Sequence, residues 1–104
     1  MILEQAVLQV KPGETAAFEA AMRSAQPLIA ATPGFVGLEL RTCLETANRY
    51  LLLVWWQTLE NHTQDFRGSD RYQQWRALLH DFYDPFPLVE HYAEPLITTG
   101  PDSR

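Results

Sequence analysis

The chain has 104 residues, 46% of them hydrophobic and 12% aromatic, with a formal net charge of −5. That is the length of one domain with ample core material, which excludes a disordered chain. The acidic balance and a single lysine, Lys11, argue against nucleic acid or an anionic membrane as partner, since both need clustered Lys and Arg. No apolar run approaches membrane-spanning length.

The opening MILEQAVLQV lacks a basic leader and carries Glu4 early, so it does not read as a signal peptide. Lone Cys43 cannot form an internal disulfide and points to a reducing compartment, so a cytoplasmic location is expected. Ile2 to Val10 alternates loosely (Ile2, Ala6, Leu8 and Val10 against Leu3, Gln5, Val7 and Gln9) and predicts a first strand. Lys11-Pro12-Gly13 ends it. An alanine-rich helix follows to about Ala31, with Phe18, Ala21, Met22, Ala25, Leu28 and Ile29 at helical spacing. Pro27 is expected to kink or end its regular part near Ala25.

Thr32-Pro33-Gly34 predicts a turn, and Phe35 to Leu44 a second strand with Val36, Leu38 and Leu40 on one face and Phe35, Gly37, Glu39 and Arg41 on the other. After a short polar connection, Tyr50 to Trp56 is an unbroken apolar run, which reads as a strand buried on both faces and paired in a hairpin with the second. Thr58 is placed to cap a short helix carrying Leu59, His62 and Phe66. Arg67-Gly68-Ser69 interrupts it, and a second helix restarts near Asp70 with Tyr72, Trp75, Arg76, Leu79 and Phe82 on one broad face. Asp84-Pro85-Phe86-Pro87 stops that helix, Leu88 to Glu94 closes the sheet, and residues 97–104 read as a flexible tail beyond a domain of residues 1–96.

The order β-α-β-β-α-β is that of an α+β ferredoxin-like sandwich, an antiparallel sheet with helices on one face. Helices on one face leave Leu51, Leu53 and Trp55 uncovered on the other, a patch that a monomer seldom exposes. A homodimer joined sheet face to sheet face is expected, with cover by a loop or the tail as the alternative.

The segments YLLLVWWQTLENH, FRGSDRYQQWRALL and PLVEHY resemble the antibiotic biosynthesis monooxygenase family, small dimeric α/β barrel proteins. The likeness runs from Gln5 to Tyr92 and rests on a strand ending in Trp56, the helix start Thr58-Leu59-Glu60 and the restart Ser69 to Tyr72. It implies oxidation of a small electron-rich aromatic (a quinol, phenol or anthrone-like ring) by molecular oxygen with no cofactor. From the family's polyketide monooxygenase, Trp56 and Arg76 match catalytic positions, Leu52 replaces an Asn and His62 replaces a Tyr. In the haem-degrading branch a helix histidine binds iron; here that position is Arg76, which cannot coordinate a metal, while Gln5 and Phe66 stand for that branch's Asn and Trp. Haem degradation in its usual form is therefore disfavoured, with His80, one turn later, as the only alternative ligand.

The resemblance thus gives His62, Arg76 and Trp56 as catalytic candidates and Gln5, Leu52, Phe66 and Tyr72 as substrate contacts. His62 would take a proton near neutrality, and Arg76 would hold the ring anion. Plainer readings are open for each: core tryptophan for Trp56, a satisfied core histidine for His62, a surface ion pair for Arg76, an interface residue for His91. His62, His80 and His91 lie on three elements without metal-ligand spacing. Neither a phosphate-binding glycine loop nor a nucleophile elbow is present. The rival to an enzyme is a non-catalytic module of the same fold that binds small aromatics or only dimerises.

Overall fold

A strand whose alternate residues are all large and apolar must bury at least one face, and here it organises the sheet. In the computed structural model, which describes residues 1–101, Tyr50, Leu52, Val54 and Trp56 are buried, whereas Leu51, Leu53 and Trp55 are half-buried. This strand, β3 (Arg49–Trp56), pairs antiparallel with β1 (Ile2–Gln9) along its whole length and with β2 (Phe35–Thr42). β4 (Val89–Tyr92) pairs with the free edge of β1. The sheet order is β2-β3-β1-β4, the ferredoxin-like α+β arrangement. The helices α1 (Thr15–Ala30) and α2 (Asp70–Leu79) supply Phe18, Met22, Ala25, Ile29, Trp75 and Leu79 to the core over the Tyr50–Trp56 face.

Three expectations are corrected. α1 runs through Pro27 to Ala30. Pro27 and Arg23, one turn before it, are both exposed, so water can reach the carbonyl that loses its partner, while buried Ala25 and Ile29 hold the last turns down. β2 carries a bulge between Phe35 and Gly37. Phe35 therefore joins Leu38 and Leu40 on the helix side, and Val36 turns outward with Gly37 and Glu39. β4 is shorter than Leu88 to Glu94, and no helix or strand follows it among the described residues. Of the expected tail, 97–101 lacks regular structure and 102–104 lies outside the described residues.

The chain turns from β3 into the helical layer as Thr58 suggests. Thr58 Oγ1 accepts from the Asn61 backbone N–H at 3.3 Å, and Asn61 Oδ1 accepts from the Thr58 N–H at 2.9 Å, a reciprocal cap. Gly34 lies against that cap: its φ is +83°, and a Cβ there would fall 2.0 Å from Asn61 Oδ1. Only glycine fits both requirements. The segment Asn61–Phe66 is wound with wide i→i+5 turns, which aim His62 and Phe66 into the core. Ser69 then caps α2 by accepting from the Tyr72 N–H at 3.2 Å.

Candidate functional site

Between sheet and helices lies a cavity of about 130 Å³ whose walls include Leu52, Phe66, Tyr72, Trp75, Tyr83 and Val89. Its polar groups are few: Glu4, His62, Arg67 and His80, with the Tyr72 and Tyr83 hydroxyls. Aromatic walls with a small polar set are the usual make-up of a small-molecule site. Phe66 packs edge-on against both Tyr72 and Trp75.

Glu4 is the centre of the polar set. It sits on the buried face of β1 with Ala6 and Leu8 and is only 5% exposed. Trp56 donates from Nε1 to Glu4 Oε1 at 2.9 Å. His62 Nε2 stands 3.4 Å from the same oxygen. On its other side, His62 Nδ1 is 2.7 Å from Nε2 of His91, the residue directly opposite Glu4 across the β1–β4 ladder. Trp56 stacks on the His62 ring, with centroids 5.4 Å apart and planes 19° from parallel.

Electrostatics follow from this burial. Desolvation pushes the Glu4 carboxyl from its ordinary 4.5 up to about 7, with the Trp56 hydrogen bond and the Arg67 charge pulling back. Burial, then Arg67 and His91, lowers His62 from 6.5 to about 3. His62 is therefore a neutral ring at physiological pH, and its approach to Glu4 is not an ion pair. Burial, then Arg67, also lowers His91. His80 is lowered by burial and by Arg76, against Asp81.

The residues expected from the sequence fall into three groups. His62, Leu52, Phe66 and Tyr72 line the cavity together. Trp56 is 0% exposed and is not part of the wall; it lies behind Glu4 and His62 and holds both in place. Two residues lie elsewhere. Gln5 alternates with Glu4 and so points to the opposite face of the sheet, opposite Leu53. Arg76 is exposed on α2 and lines an open groove of about 700 Å³ outside the cavity. The two spaces adjoin, since Tyr72, His80 and Phe86 border both.

Glu4 and Arg67 stand outside the expected set, and His91, expected at an interface, meets His62 instead. A glutamate at the register of Ile2, Ala6 and Leu8 was the available signal for the first, because a carboxylate on a core face needs a partner or a purpose. His91 gave no such signal, since its partner is fixed only by strand pairing. Among the described residues, no three His, Cys, Asp or Glu side chains are grouped as a metal site.

The family profile described as antibiotic biosynthesis monooxygenase matches residues 1–78. The chain belongs to the antibiotic biosynthesis monooxygenase family. It is 50% identical over 94 residues to the Bacillus subtilis (strain 168) protein YczJ, described as uncharacterized, covering 90% of this chain and 99% of that one. A Bordetella bronchiseptica structure carrying the same family designation superposes with a TM-score of 0.86 at 39% identity, covering 91% of this chain and 97% of the other. The Streptomyces nogalater protein SnoaB, described as a cofactor-independent oxygenase, shares the fold, with a TM-score of 0.73 at 19% identity over 97% of both chains. No helix among the described residues is long and apolar enough to cross a membrane.

Proposed function

We propose that this family member is a cofactor-independent monooxygenase whose substrate places one electron-rich phenolic ring in the cavity beneath α2. The observation that carries the reading is a buried carboxyl, Glu4, facing an aromatic-walled cavity of about 130 Å³. Benzene binds in a cavity of about 150 Å³, so this space of about 130 Å³ has room for no more than one ring, and the rest of a larger ligand would extend into the outer groove. There Arg76 would meet the emerging part of the ligand.

The chemistry asks for a base near neutrality. A phenol's own pKa is about 10 and triplet oxygen reacts poorly with it, whereas its anion is a far better electron donor. A Glu4 carboxyl titrating near 7 suits the removal of that proton. The phenolate passes an electron to dioxygen, and the radical pair joins at the para carbon, which carries one hydrogen. The peroxide formed takes the proton held on Glu4. Loss of the C–H proton and of hydroxide, together one water, leaves a quinone and returns the Glu4 carboxylate. His62 acts through Glu4 in this scheme, and Trp56 positions them both.

The outward sheet face supports a homodimer. Val7 and Val36 are 43% and 47% exposed there, beside half-buried Leu51, Leu53 and Trp55. Non-catalytic binding of a small aromatic is the second reading, favoured by one observation: among the described residues no Asn or Gln lines the cavity.

The test is oxygen uptake against hydroxylated monocyclic and polycyclic aromatics without added flavin or metal. Consumption lost in Glu4→Gln is the expected result. Tight binding of a phenol with no uptake across the panel would instead leave the binding module.

A further inference from the structure

Three elements place three titratable side chains in one line. Glu4 from β1 is 5% exposed, and His62 from the wide helical segment is 3% exposed. His91 on β4 is half-buried, the member of the three that reaches solvent. Adjacent groups are 3.4 Å apart (Glu4 Oε1 to His62 Nε2) and 2.7 Å apart (His62 Nδ1 to His91 Nε2). The second contact needs one proton between two nitrogens, so the tautomer of each ring dictates that of the other.

We propose that Glu4, His62 and His91 form a proton relay with His91 as its outer end, through which the buried carboxyl exchanges its proton with water at edge strand β4. The outward transfer starts with the carboxyl protonated and both rings neutral and protonated at Nδ1. The Glu4 O–H bond breaks as His62 Nε2–H forms. His62 Nδ1–H breaks as His91 Nε2–H forms, and His91 Nδ1–H is lost to water. The products are a Glu4 carboxylate, one solvated proton and two neutral rings protonated at Nε2. Inward transfer is the reverse.

Two features fit this path. His62 never gathers a second lasting proton, in keeping with its lowered pKa, so it can only pass one on. The fixed charge that acts on all three groups is Arg67, while His80, Tyr72 and Tyr83 line the same cavity. A ring that fills the cavity would shut out water there, and His91 would then be a back door for setting the charge of Glu4. That use in turnover rests on the oxygenase reading, whereas the relay itself is testable without substrate.

The deciding measurement is ring-nitrogen NMR across pH 5 to 9 on the whole chain. As Glu4 loses its proton, His62 and His91 should both change from Nδ1–H to Nε2–H with the midpoint of Glu4. Glu4→Gln keeps an acceptor for Trp56 and should abolish the change at His91. His62→Phe, which can stack on Trp56, should abolish it too while leaving Glu4 titratable. Ring tautomers that stay fixed in the wild type, or a change at His91 that survives either substitution, overturn the relay. On a substrate from the uptake panel, His91→Ala should lower turnover roughly tenfold at pH 6, where Glu4, titrating near 7, is mostly protonated when the ring arrives, with recovery on adding imidazole. A loss that imidazole does not relieve overturns the use of the relay in turnover. Absence of oxygen uptake beside an intact coupled tautomer change would reject the oxygenase reading and leave the relay standing.

Discussion

Trp55 and Trp56 are neighbours in one strand with opposite surroundings. Trp56 is 0% exposed, stacked on His62 and bonded to Glu4. Trp55 is half-buried on the outward face beside Met1 and Val36. The helix side of the sheet is thus a finished interior with a polar cluster built into it. The outward side is an apolar surface whose proposed cover is a second copy of the chain. Burial of one face folds the chain, and the proposed second copy would bury the other, so substitutions on the two faces should have separable effects.

The largest expected effect is on the finished side. Trp56→Ala should cost about 3–5 kcal/mol of unfolding free energy by denaturant titration, because it empties a core position and leaves Glu4 without its donor. Trp55→Ala should cost less and raise the protein concentration needed to hold the dimer together in sedimentation, the mark of a weakened dimer. Equal effects at both positions would dissolve the contrast.

On the outward face, Leu53→Asp should convert the dimer to monomer in sedimentation while the monomer stays folded. A dimer that persists would show that its interface lies elsewhere.

A third comparison is within the buried cluster, and its two members pull in opposite directions. Glu4, raised from 4.5 to about 7, holds its proton more tightly folded than unfolded. Its stabilisation is complete below 4.5 and is lost as pH rises to 7, by about 1.4 kcal/mol per pH unit at most. His62, lowered from 6.5 to about 3, contributes stability above 6.5 that is lost as pH falls. Between pH 4.5 and 6.5 the two slopes oppose each other, so the wild type should vary little from this source. Glu4→Gln should uncover the histidine slope, with stability rising with pH. His62→Gln should uncover the carboxyl slope, with stability falling from pH 4.5 to 7. Parallel unfolding curves for the wild type and both variants would contradict this pairing.

The smallest effects belong to the two arginines. Arg67→Ala and Arg76→Ala should each change stability by under about 0.5 kcal/mol, as exposed substitutions do. Only Arg67→Ala should move the Glu4, His62 and His91 titrations upward, because only Arg67 bears on them. Arg76→Ala should raise His80 alone, as NMR titration would report.

Much of this architecture was legible from residue order. The period of two in Tyr50 to Trp56, the Thr58 cap and the break at Arg67-Gly68-Ser69 depend on residues a few places apart, and the folded chain keeps each of them. So do the cavity positions of His62, Phe66 and Tyr72, which follow from helical spacing and from the family resemblance. Gln5 and Arg76 lie outside the cavity although their matching positions point to it, because strand parity and helix rotation decide which way a side chain points. The cluster itself needed the tertiary structure. Trp56 meets Glu4 across 52 positions and His62 meets His91 across 29, through the registers that set Glu4 opposite Val54 on one side and His91 on the other. A sequence displays the faces of its own elements, but the register between distant strands is settled by packing the whole sheet. That register joins a buried carboxyl, a buried imidazole and a half-buried one into one chain of contacts.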